Sequence, residues 1–125
     1  MNKNIQLNVL GEKLITCSKN PMTGFLRNGC CELHKNDFGK HLICALMNKG
    51  FLDYQFSLGN DLITPKKEFD FPGLKPNDKW CVCAVRWEEA FKNSYAPLVF
   101  LSSTHIDVLE IIDLKILKKF AIDLN

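Results

Sequence analysis

A chain of 125 residues with 46% hydrophobic and 24% charged content has the composition of an ordinary globular protein, long enough for one hydrophobic core and too short for two. Its 16 basic and 14 acidic residues leave a net charge of +2 and are interspersed, which excludes a broad positive field and removes nucleic acid from the expected partners. Every apolar run is broken well short of the roughly 20 residues that span a bilayer, so a single domain over residues 1–125 with no membrane partner is expected.

The start, Met1 to Leu7, lacks the apolar stretch and small-residue cleavage site of a secretory signal, and a cytoplasmic location is expected. In that reducing compartment Cys17, Cys30, Cys31, Cys44, Cys81 and Cys83 are not expected first as three disulfides. The first element is a strand over Gln6 to Leu10, closed by a turn at Gly11-Glu12. Asn28-Gly29, set between short apolar runs, signals a two-residue hairpin whose return strand starts at the vicinal cysteines. His41 to Met47 has the pattern of a buried strand, and Phe51 to Leu58 that of a short helix stopped by Gly59-Asn60.

From Thr64 to Asp78 the prolines and few periodic positions predict an ordered loop packed by Phe69, Phe71 and Leu74. Trp80 to Val85 follows as a strand and Arg86 to Asn93 as a helix with Trp87, Ala90 and Phe91 on one side. Leu98 to Leu101 is a further strand, Thr104 the N-cap of a short helix, and Ile111-Ile112 a last strand before a helix capped by Asp113. Together these elements predict an α+β fold: a small two-layer sandwich, its sheet mixed or largely antiparallel, its short helices mainly on one face.

Several blocks then stand in order along the chain: Cys17-Ser18, Pro21-Met22-Thr23-Gly24-Phe25, Gly29-Cys30-Cys31, Asp37-Phe38-Gly39-Lys40-His41, Gly59-Asn60-Asp61-Leu62, Phe71-Pro72-Gly73-Leu74, Trp80-Cys81-Val82-Cys83-Ala84 and Thr104-His105. In this order they resemble the bacterial family called domain of unknown function 2237. The resemblance runs from about Asn8 to the final helix. Asn77 is a departure where the family is expected to carry Gly, at a turn that tolerates Asn. The resemblance implies a compact two-layer α/β fold and a bacterial cytoplasmic origin, and brings no reaction with it.

The residues themselves suggest three kinds of chemistry. In a regular strand one of the adjacent thiols Cys30 and Cys31 must point away from the core, and a neighbouring His34, His41, Arg27 or Arg86 would activate it, making these two the catalytic candidates of a thiol enzyme or redox protein. Cys81 and Cys83, alternating on a strand, face one side roughly 6.5 to 7 Å apart and suit a shared metal, with His41 among the histidines that could complete the site. Their alternative role is packing, and no Cys-x-x-Cys pair supports the metal.

Asn60, Asp61, Trp80, Arg86, Trp87 and His105 are the candidates for a ligand pocket, being polar or aromatic groups beside apolar strands. Each has a structural alternative: Asp61 as a turn cap, Arg86 paired with Asp61 or Glu89, His105 in a helix first turn, the tryptophans as core. No phosphate loop, nucleophile elbow or zinc helix is present, so no cofactor is assigned. The leading expectation is a small-molecule-binding domain with a Cys/Trp/Arg-lined pocket. A thiol-dependent protein and a metal-binding protein are the alternatives.

Overall fold

Where apolar and β-branched residues run together the chain extends. Strand β1, Ile43–Leu46, pairs antiparallel with β2, Lys79–Val82, in the register Ile43↔Val82, Cys44↔Cys81, Ala45↔Trp80 and Leu46↔Lys79. The computed structural model, which describes residues 6–124, is an α+β fold built around this ladder. The signal reading at the start of the chain falls largely on residues 1–5, outside the described residues. No helix among the described residues is long and apolar enough to cross a membrane.

The expected strand at Leu98 to Leu101 is reduced to a single bridged position. Leu46 donates its amide to the Leu98 carbonyl and Phe100 to that of Cys44, so Val99 lies antiparallel beside Ala45, while its other edge meets Ala121 in a parallel bridge. Regular pairing stops there because Leu101–Ser103 turns into a 3-10 helix whose Leu101 and Ser102 amides are held by the Asp123 carboxylate. The strand expected at Gln6 to Leu10 likewise shrinks to bridges Leu7↔Lys13 and Asn8↔His105. Here the Asn8 side-chain oxygen accepts from the Leu10 and Glu12 amides and bends the chain into a turn, the usual way an Asn side chain competes with a ladder. Asn28-Gly29 forms no hairpin for the same reason: Asn28 Oδ1 accepts from the Cys30 amide, and the Gly29 carbonyl accepts from Cys17. Ile111-Ile112 lies at the end of the 3-10 turn Ile106–Glu110 rather than in a strand.

Three helices surround the ladder. Helix α1, Lys49–Ser57, is capped by Asn48, whose side chain accepts from the Phe51 amide at 2.7 Å, and it buries Phe51, Leu52 and Gln55. Gly59, at φ 87°, closes its end as expected. β2 stops at Val82, three residues early, because the Ala84 amide is drawn to the Lys40 carbonyl and α2, Ala84–Lys92, begins with Cys83 as its N-cap. Its Ala84, Trp87 and Ala90, at helical spacing, form the buried face. Helix α3, Leu114–Lys119, starts at Asp113 and ends in Lys118 and Lys119, which complement its dipole. Asn77 adopts φ 78°, the turn conformation that accounts for an Asn where the related pattern has Gly.

The larger core joins β1, α1 and α2 to Val99, Val108 and Leu117. A second cluster is made of Cys17, Cys31, Cys44 and Cys81, with Phe100 against it. These four form two disulfides, Cys17–Cys44 and Cys31–Cys81, which corrects the expectation of free thiols; Cys30 and Cys83 remain unpaired. Phe71 and Leu74 pack the 64–78 loop as expected, whereas Phe69 stands 67% exposed.

Candidate functional site

Two adjoining cavities lie where the 24–27 turn, the β1 approach, the 60–71 loop and β2 converge. The larger, about 480 Å³, is walled by Phe25, Leu62, Phe69, Phe71 and Trp80, with Arg27, His41, Asp61 and Lys66 at its polar positions. The smaller, about 190 Å³, shares His41, Leu62 and Trp80 with it and adds Asn60, Cys83 and Arg86. A volume of a few hundred Å³ with apolar walls and a few convergent polar groups suits a small organic ligand.

Trp80 is the common wall. It sits on β2 with its indole edge-on to Phe71, ring centroids 5.4 Å apart, and the Arg27 guanidinium lies 5.1 Å from its ring centroid. Arg27 is held there by its own local fold. Its Nη1 donates to the Gly24 carbonyl at 2.7 Å, and its φ of 55° depends on the turn that Gly24 opens. Gly24 itself has φ 96°, and any side chain there would collide with the Cys30 carbonyl, so both backbone conformation and space demand glycine.

His41 is the most deliberately placed polar group. Its Nδ1 lies 2.7 Å from the Asp37 carboxylate, whose other oxygen accepts the His41 backbone amide at 2.9 Å. The Asp37 side chain is only 2% exposed while that of His41 is 40% exposed, so a buried acid orients an accessible imidazole. Accepting at Nδ1–H, Asp37 leaves Nε2 as the nitrogen with no protein partner among the described residues. Gly39 makes room for the ring: a Cβ there would come within 2.7 Å of His41 Cε1.

Asp61 both faces the cavity and caps a turn. The Thr64 hydroxyl, with the Thr64 and Ile63 amides, holds its carboxyl below the ordinary carboxylate range, so it is anionic at neutral pH. Arg86 pairs with Glu89 at 3.5 Å and reaches the smaller cavity. Arg27 and Lys66 make no ion pair among the described residues. Cationic groups therefore outnumber acids around these walls, a local excess that the near-neutral composition conceals.

The residues expected from the sequence divide cleanly. Asn60, Asp61, Trp80 and Arg86 meet around the cavities. Trp87 does not: it is fully buried, donates Nε1–H to the Pro97 carbonyl at 3.1 Å, and packs against Phe91 and Phe120. His105 is also elsewhere, buried as the N-cap of the 3-10 turn Ile106–Glu110, its Nδ1 accepting the Asp107 amide; it occupies the capping place expected of Thr104, whose hydroxyl instead bridges Cys44 and Phe100. Burial pushes its pKa down against the pull of Asp107 and Glu32.

Of the thiols, Cys31 is consumed in a buried disulfide and cannot be a nucleophile, while Cys30 is partly exposed beside Thr16 and outside both cavities. Cys81 and Cys83 are not a ligand pair, since the strand ends between them: Cys81 is bonded to Cys31, and Cys83 opens α2 and faces the smaller cavity. His41, expected among the metal ligands, donates Nδ1–H to Asp37, which leaves Nε2 as its one ligating nitrogen. Asp37 and Lys66 were not among the expected site residues, although the spacing from Asp37 to His41 inside one glycine-containing block was a visible signal.

The chain matches, over residues 7–121, the family model described as an uncharacterized protein conserved in bacteria, DUF2237. No curated protein matches it.

Proposed function

We propose, from the premise that this chain belongs to the DUF2237 family, that it is a binding domain for a small anionic ligand with a flat apolar part. One observation carries this reading: Arg27 and Lys66, which make no ion pair among the described residues, stand around the Trp80 wall with Asp61 as the one carboxylate lining it, while Arg86 is paired with Glu89 and His41 with Asp37. An anionic head would meet the cations while an aromatic or aliphatic body lies between Trp80, Phe69 and Phe71. Nucleic acid and membrane remain outside the proposed partners.

A Trp87→Phe variant leaves Trp80 as the sole tryptophan and thus a local reporter. Titrating it with benzoate, phenyl phosphate and neutral benzyl alcohol is expected to change the Trp80 fluorescence at concentrations at least tenfold lower for the two anions than for the alcohol. Arg27→Met is expected to remove that preference. Equal response to all three probes, or none, defeats the reading.

A second reading, thiol chemistry, is favoured by Cys83 and His41 both lining the smaller cavity, with Asp37 behind the imidazole. In it Cys83 attacks an electrophilic ligand and His41 takes the thiol proton. Iodoacetamide labelling tests this: Cys83 should react faster than Cys30, and His41→Asn should slow it to the Cys30 rate. A cytoplasmic location is proposed on the two unpaired thiols alone, against the weight of the two disulfides.

A further inference from the structure

The buried cysteine cluster belongs to neither cavity reading. Its members come from four separate segments: Cys17 from the N-terminal loop, Cys31 from the turn region that follows, Cys44 from β1 and Cys81 from β2. All are 4% exposed or less, and Cys44 and Cys81 are direct cross-strand partners. Cys17 Sγ, from one bridge, lies within 4.8 Å of both Cys31 Sγ and Cys81 Sγ, which form the other, and Cys44 Sγ is bonded to that of Cys17. Two bridges acting only as staples gain nothing from touching. Three sulfurs within 4.8 Å of one another, with a fourth bonded to one of them, approach what a single tetrahedral ion requires.

We infer that Cys17, Cys31, Cys44 and Cys81, when reduced, form a four-thiolate site for a tetrahedral divalent ion of the zinc type. A zinc–sulfur bond of about 2.3 Å sets the four sulfurs about 3.8 Å apart in a tetrahedron. Phe100 packs against the cysteines, and among the described residues no carboxylate or imidazole joins their sulfurs as a ligand group. Such an all-sulfur, water-poor donor set selects a borderline-soft ion over magnesium or calcium.

The two forms are related by a balanced exchange. Two equivalents of a dithiol reductant give four electrons and four protons to the two disulfides, each reductant closing its own disulfide. The four thiols then release four protons as the thiolates take the ion. No two of these cysteines stand within four residues of each other, so the site leaves none of the paired spacing by which zinc sites are recognised in sequence.

The test uses the full chain, purified under a dithiol reductant with no chelator. Elemental analysis is expected to find one zinc per chain. Cobalt(II) titration should give the near-ultraviolet thiolate charge-transfer band and the intense visible bands of a tetrahedral sulfur site. A thiol reagent should then titrate Cys30 and Cys83 rapidly, and the other four only after a chelator is added. The double variant Cys30→Ser/Cys83→Ser should keep the cobalt spectrum, and Cys17→Ser or Cys81→Ser should lose stoichiometric binding. Should the reduced wild-type chain, folded by circular dichroism, take up no cobalt, the inference is overturned without recourse to any variant. It is equally overturned if cobalt binding survives in Cys81→Ser, or if the bridges yield to reductant only when the chain unfolds.

Discussion

His105 shows how one buried group sets a pH limit. Its Nδ1 accepts the Asp107 amide at 3.0 Å, a bond that exists only while that nitrogen is unprotonated, and burial pushes the pKa down from its ordinary 6.5. Because the folded pKa is depressed, the stabilisation is complete above the unfolded value and drains away as pH falls below about 6.5 toward the folded value. Chemical denaturation from pH 7.5 to 5 is therefore expected to show falling stability in the wild type and a flatter profile in His105→Asn, which keeps a capping acceptor but no titrating proton. At the other polar centre, Gly39→Ala would drive a methyl group into His41 Cε1 and pull the ring off Asp37. The expected result is severalfold weaker benzoate binding with an unchanged far-ultraviolet spectrum, checked alongside the His41 ring resonances.

The elements read from the sequence are those whose cause is local. The strand near His41 to Met47, α1 with its closing glycine and α3 with its Asp113 cap follow from apolar runs, a glycine after a helix and an Asp before one, while the Asn48 cap that starts α1 two residues earlier than expected was not read. What was not legible has a long-range cause. The 98–101 strand is cut short by Asp123, 22 residues beyond Leu101, and the switch from β2 to α2 is set by the Lys40 carbonyl. That early switch turns Trp87 into the core with Ala84 and Ala90, which is why an aromatic expected at the pocket is packing instead. Removing it should be costly: Trp87→Ala is expected to lower stability by about 3–5 kcal/mol in urea denaturation, through the lost aromatic contacts and the cavity left behind.

Asp123 belongs to the same scale, because it ties the end of the chain to the 3-10 turn Leu101–Ser103. Partial burial alone would raise its pKa, yet the Ser102 hydroxyl and the Ser102 and Leu101 amides outweigh that and hold it low. With a depressed folded pKa, the clamp is in place above the normal carboxylate range and is lost as pH falls through the folded value. Since the group is largely solvated, Asp123→Asn is expected to cost only about 1 kcal/mol at pH 7, and less at low pH where the wild type has lost its charge.

For the molecule as a whole, the question is what its N-terminal third is fastened by. Residues 6–42 hold no regular element, yet they supply Arg27 and His41 to the cavities, with Asp37 behind the imidazole, and are tied to the ladder through Cys17 and Cys31. The bridges span 27 and 50 residues, and a loop of either size restricts the unfolded chain by about 3–4 kcal/mol in the chain-entropy account. They interlace, since Cys31 lies inside the loop closed by Cys17 and Cys44, so the two contributions overlap rather than add. A metal held by the same four sulfurs closes the same loops. Thermal unfolding is therefore expected to rank the reduced, chelator-treated chain lowest, and the oxidised chain and the reduced chain with equimolar zinc well above it. Equal melting temperatures for the reduced chain with and without zinc would leave the bridges as the sole fastening. A zinc-dependent recovery that disappears in Cys44→Ser would mean that metal and bridge are two ways of closing one joint, and that the cavities keep their Arg27 and His41 walls in either redox state.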